Sequence, residues 1–188
     1  MREMTRFWIL AIATCGILTG PADARVSDTT SGFSIDPPAP FVAERTTNRP
    51  QFDVGVGIRS SNGVPPSAGT SSFVCEAGFK AAPQNASLTR AEINALVDKP
   101  EWVNLAKAAF ELVFSITSQR RFTLQGYRGM EFQAVPKGGP GGANVRVLIS
   151  LVETPKGRTT LFCLTQAPAY GVARQQFRAI RSSITLPE

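Results

Sequence analysis

The sequence predicts an α+β fold, an antiparallel sheet of about six strands flanked by helices in the order β-β-β-α-α-β-β-β-α. Three observations carry this. Residues 52–59 alternate strictly between apolar and other positions. Residues 87–114 change to helical spacing behind a capping signature. A run of alternating segments then leads into one last amphipathic stretch.

In chain order, residues 25–31 (Arg-Val-Ser-Asp-Thr-Thr-Ser) read as a polar arm. Phe33 and Ile35 share one face of a short strand that Pro37-Pro38 stops. Phe52, Val54, Val56 and Ile58 form the apolar face of a second strand. Phe73, Cys75, Ala77 and Phe79 do the same for a third, after a loop rich in Ser, Gly and Pro. Thr89 with Glu92 forms a capping box for a helix whose inner face is Ile93, Leu96 and Val97. Pro100 ends it and opens the next helix, where Trp102, Ala106, Ala109 and Val113 make a stripe read as core contact. Residues 121–135 keep Phe122, Leu124, Met130, Phe132 and Ala134 in even parity and read as one strand, bent at Gly126 and Gly129. Val145 to Leu151 and Thr160 to Thr165 follow as its meander partners. The final helix, Gly171 to Ile184, turns Ala173, Phe177, Ile180 and Ile184 inward.

The amino terminus reads as a cleaved export signal over residues 1–24. Arg2 and Arg6 precede an uncharged apolar run from Phe7 to Leu18. Gly20-Pro21 breaks that run, and Ala22-Asp-Ala24 has the small-x-small form of a cleavage site before Arg25. The run is about 12 residues, short of the roughly 20 that span a bilayer as a helix. Retention as an anchor and lipid attachment at Cys15 are the alternatives. The mature part, a single domain over residues 32–188 behind the arm, is expected in the periplasm or secreted.

Without Cys15, two cysteines remain. In an oxidising compartment Cys75 and Cys163 are expected to pair, the alternative being two separate buried thiols. The chain has no histidine. That excludes Ser-His-Asp and Cys-His nucleophiles, His-based zinc sites and histidine pH switching. The scattered carboxylates have no spacing that demands a paired acid and base. No catalytic residue, metal site or cofactor is therefore assigned. Gly138-Gly-Pro-Gly-Gly142 lacks the Gly-Lys-Ser/Thr of a phosphate loop and reads as a hairpin connection. Asn85-Ala-Ser87 matches a glycosylation sequon.

The net charge is +6, which suits either simple solubility or an anionic partner. Arg174, Arg178 and Arg181 recur on one face of the last helix. They read as a solvated flank or as a docking stripe for an unknown protein, an anionic envelope component or a membrane surface. Basic and aromatic residues are not interleaved as in single-strand binders, so nucleic acid is not expected as a partner.

The order of elements, with Gly32-Phe-Ser-Ile-Asp-Pro-Pro38, Leu161-Phe-Cys-Leu-Thr165 and Phe177-Arg-Ala-Ile-Arg-Ser-Ser-Ile184, resembles the PsbP-like superfamily. That group includes extrinsic photosystem proteins, a Ran-binding nuclear import factor and many exported bacterial proteins. The resemblance spans residues 32–186. It implies an α/β/α sandwich and a non-catalytic binding or assembly role, and it carries no metal or catalytic motif onto this chain. A histidine-independent hydrolase using carboxylates or lysine, and a structural envelope protein, are the other functional readings.

Overall fold

The computed structural model describes residues 25–188 apart from Thr70 and Pro140. The expected leader, including Cys15 and the Ala22 and Ala24 cleavage positions, lies outside the described residues. The elements are β1 (Val26–Ser27), β2 (Ser34–Ile35), β3 (Phe41–Thr46), β4 (Val54–Ser60), β5 (Cys75–Ala81), α1 (Arg90–Asp98), α2 (Pro100–Glu111), β6 (Phe114–Leu124), β7 (Tyr127–Pro136), β8 (Val145–Thr154), β9 (Gly157–Gln166), α3 (Tyr170–Ser182) and β10 (Ile184–Thr185). Seven strands form one antiparallel sheet in the order β3-β4-β5-β9-β8-β7-β6, and β1-β2-β10 form a small second one.

Side-chain alternation along β8 shows why the sheet is covered on both faces. Val147, Ile149 and Leu151 pack with Trp102, Val103 and Ala106 of α2. Leu148 and Val152 pack with Phe177 and Ile180 of α3 on the other face. This is the expected α/β/α sandwich. The capping box at the start of α1 is complete: the Glu92 amide donates to the Thr89 hydroxyl, and the Thr89 amide donates to the Glu92 carboxylate.

Several details differ from the sequence expectation. The stretch read as one strand over residues 121–135 is a hairpin. Gln125 and Gly126 occupy its turn with φ of 50° and 82°, the left-handed pair that a two-residue hairpin connection needs. The even-numbered apolar residues therefore divide. Phe122 and Leu124 pack toward α3, while Met130, Phe132 and Ala134 pack toward α2. The main sheet thus has seven strands rather than six, and β3 is one that the alternation did not single out. Residues 25–31 do not trail as an arm. Val26 pairs with Ile35, and the Asp28 carboxylate accepts from the Ser31 amide at 2.8 Å and its hydroxyl at 2.7 Å.

Phe52 and Phe73 were expected on the apolar face shared by Val56 and Ala77. Regular strand begins only at Val54 and Cys75, so both rings turn to the opposite face. Phe52 lies on Gly78 and Phe73 on Gly57, where an added Cβ would collide with each ring. Two loop phenyl rings therefore cover the half of this face that α1 and α2 leave bare. The α2 stripe also stops early: Trp102 and Ala106 are buried, while Ala109 and Val113 are exposed.

Candidate functional site

The structure builds two polar arrangements, one on each face of the sheet. Only the first involves the arginines that the sequence offered as a partner face. Glu131 lies in β7 between Met130 and Phe132, so when those two turn toward α2 it must point toward α3. Its cross-strand neighbours are Arg120 in β6 and Ser150 in β8. Above them stand Arg178 and Arg181, one turn apart on α3. Arg178 is bidentate to the carboxylate, Nε to Oε2 at 3.0 Å and Nη2 to Oε1 at 2.5 Å. Arg181 Nη1 donates to Oε2 at 2.6 Å, and its guanidinium lies 3.8 Å from the Phe122 ring centroid. Arg120 Nε is 4.0 Å from Oε1.

Glu131 is fully buried. Burial alone pushes its carboxyl up, but the hydrogen bonds from Arg178 and Arg181 together outweigh this and hold it below the ordinary value. Burial lowers Arg181, against the pull of Glu131. The Tyr170 phenol is pushed up to about 12, by burial first and then by the Glu131 charge.

Two of the three arginines read as a docking stripe are thus committed to an internal carboxylate, and Arg181 is buried. Arg174 is not joined to them through Glu131. The flank is a structural ion cluster with one remaining cation at its edge. Periodicity placed the arginines correctly on one helix face. It could not show that Glu131, 47 positions from Arg178, would lie beneath them.

The second arrangement is a cleft of about 810 Å³ on the α2 face, where helix cover ends. Leu151 and Phe162 form its floor, Trp102 and Phe110 the helical wall, and Phe52 the opposite wall. Leu96 and Ala109 complete the helix side. Ion pairs ring the mouth. Arg158 donates through Nε to Glu153 Oε1 at 2.6 Å, and Asn85 Nδ2 donates to Glu153 Oε2 at 3.3 Å. Arg49 holds Glu76 at 2.6 Å, and Lys80 holds Asp53 at 2.5 Å. The Lys80 hydrogen bond, then the Ala81 amide, lowers the Asp53 carboxyl. Glu153 and Asn85 are buried. The Asn85 amide of the sequon is therefore engaged inside the fold, and a glycan on Nδ2 would break its bonds to Glu153 and Thr154.

Sequence reasoning missed this cleft because its lining comes from five separated segments. The one available signal was Ala109, a small residue continuing an apolar stripe past the point where core contact ends.

Cys75 and Cys163 are direct partners across β5 and β9 and form a disulfide. Among the described residues, no group of three or more His, Cys, Asp or Glu side chains could hold a metal ion, and no helix is long and apolar enough to cross a membrane.

No family model matches the sequence, and no curated protein matches it. The fold does match a solved structure. The solution structure of cyanobacterial PsbP (CyanoP) from Synechocystis sp. PCC 6803 aligns with a TM-score of 0.55 at 15% identity, over 93% of this chain and 98% of that one. At that identity the likeness concerns architecture alone: the chain is an α+β sandwich with a PsbP-like fold.

Proposed function

We propose that the protein works outside the cytoplasm, in the periplasm or secreted, as a non-catalytic accessory protein that captures a ligand in the cleft between α2 and the sheet. The cleft carries this reading: an apolar concavity of about 810 Å³ with a few convergent polar groups has the size and make-up of a small-molecule site. The charged groups at its mouth are joined to one another, an arrangement suited to holding a shape rather than to moving protons. The disulfide and the signal-like leader support export. The same fold in PsbP agrees with an accessory role, by analogy of architecture only.

The test is recovery of the tagged protein from the envelope of the producing cell. Amino-terminal sequencing should start at Arg25. Mass spectrometry should find a small molecule that co-purifies with the native chain and is lost from Ala109→Phe, which fills the cleft from an exposed helix position. An intact Met1 terminus would overturn cleavage of the leader, and absence of the protein from the envelope fraction would overturn export. Equal recovery of the molecule with the filled variant would overturn the cleft as the working surface.

A further inference from the structure

We infer that the cleft selects an uncharged, mainly apolar molecule with an aromatic or branched body and no formal charge, a conclusion that rests on the cleft being the binding surface. The interior is made of Phe52, Leu151, Trp102, Phe110 and Phe162, surfaces that gain from burying carbon. The groups that face a ligand's polar end decide its charge. Four lining residues are ionisable: Glu76, Lys80, Glu153 and Arg158. Each has an opposite charge against it: Arg49 at 2.6 Å, Asp53 at 2.5 Å, and Glu153 with Arg158 at 2.6 Å.

Asn85 Nδ2 bonds both Glu153, at 3.3 Å, and the Thr154 carbonyl oxygen, at 3.2 Å. The Glu153–Arg158 pair is thus fixed from two sides. A charged ligand would give up hydration to lie beside apolar rings where each lining charge already has its counter-charge, which is unfavourable. An uncharged ligand leaves every pair in place. Gln51, Gln84 and Thr160 line the same cleft. Their amide and hydroxyl groups both donate and accept, which suits a carbonyl, ether or hydroxyl on the ligand.

Two dyes with one skeleton test this: N-phenyl-1-naphthylamine, neutral at pH 7, and 8-anilinonaphthalene-1-sulfonate, the same rings with an added anion. The full chain carries Trp8→Phe, which leaves Trp102 as its one indole. Energy transfer from Trp102 then reports occupancy of the cleft. The neutral dye should bind one equivalent with transfer, and the sulfonate at least tenfold more weakly. Ala109→Phe should weaken the neutral dye at least tenfold with an unchanged unfolding midpoint. Equal affinity for the two dyes would overturn selection of an uncharged ligand and leave the cleft as the binding surface. Absence of saturable binding, or unchanged binding to Ala109→Phe, would overturn both.

Discussion

Replacing Glu131 with Gln should destabilise the fold more than any change on the exposed flank of α3. The carboxylate accepts three charge-assisted hydrogen bonds, from Arg178 at 3.0 and 2.5 Å and from Arg181 at 2.6 Å. A glutamine keeps one acceptor and turns an NH2 toward two guanidinium groups. The Arg181 side chain is only 10% exposed and Glu131 is 0% exposed, so water cannot take over the lost role. Removing one partner of a buried pair costs about 3 to 5 kcal/mol. For a domain of this size, each kcal/mol lowers Tm by roughly 2 to 4 °C, so the expected drop is about 6 to 20 °C. Thermal unfolding followed by circular dichroism at pH 7 measures it. Arg174→Glu, at the edge of the cluster and half-buried, removes none of the Glu131 hydrogen bonds and should lower Tm by less than Glu131→Gln does. Glu131→Leu combined with Arg178→Leu and Arg181→Met should recover most of the loss, because apolar replacement of a buried triad is often neutral or better. A Glu131→Gln shift under about 2 °C, or a triple variant less stable than the single one, would refute the reasoning.

Acid should weaken the protein in a defined window. Asp28, Asp53 and Glu131 all lie below their ordinary values of 3.8 and 4.5. Their contribution is present above those values and disappears as pH falls through the lowered ones. Denaturant midpoints should stay level from about pH 7 to 5 and decline below about 4.5, and Glu131→Gln should shallow that decline. Replacing Cys75 and Cys163 together with Ala should lower unfolding free energy by up to about 4 to 5 kcal/mol, since the bridge spans 88 positions. A reductant added to the native chain should move its denaturant midpoint the same way. Gly78→Val should displace the Phe52 ring from its seat on β5, at about 1 to 3 kcal/mol for overpacking. It should also remove dye binding in the cleft, read by the same fluorescence titration.

What could be read from the sequence divides by range. The Thr89–Glu92 box, the Pro100 break and the apolar face of α3 are set by neighbours three or four positions apart, and they lie where periodicity puts them, except that α3 ends at Ser182 and Ile184, read as its last inward residue, stands in β10. The β6–β7 hairpin was hidden because its turn is Gln125-Gly126 rather than Asn-Gly. A two-residue turn pairs residues of opposite parity, Leu124 with Tyr127 and Phe122 with Gly129, so Leu124 and Met130 look co-facial and are not. Phe52 and Phe73 were misplaced because alternation was extended past the strand ends. For the candidate sites, the arginine row and the cysteine pair were visible as residues. Their partners were not: Glu131 under α3, and the joining of Glu153, Arg158 and Asn85 at the cleft, depend on strand order, and register is a property of the sheet.

The position of the cystine in the strand order bears on how the molecule survives damage. β3, β4 and β5 come from the first half of the chain and β6 to β9 from the second, and within the main sheet β5 and β9 are the only neighbours that join the halves. The sulfur bridge crosses that seam. A protease cut at any connection between Cys75 and Cys163, including the exposed stretch around Gln84, would therefore leave two fragments still tethered. They would migrate as one species on a non-reducing gel and separate only when the bridge is reduced.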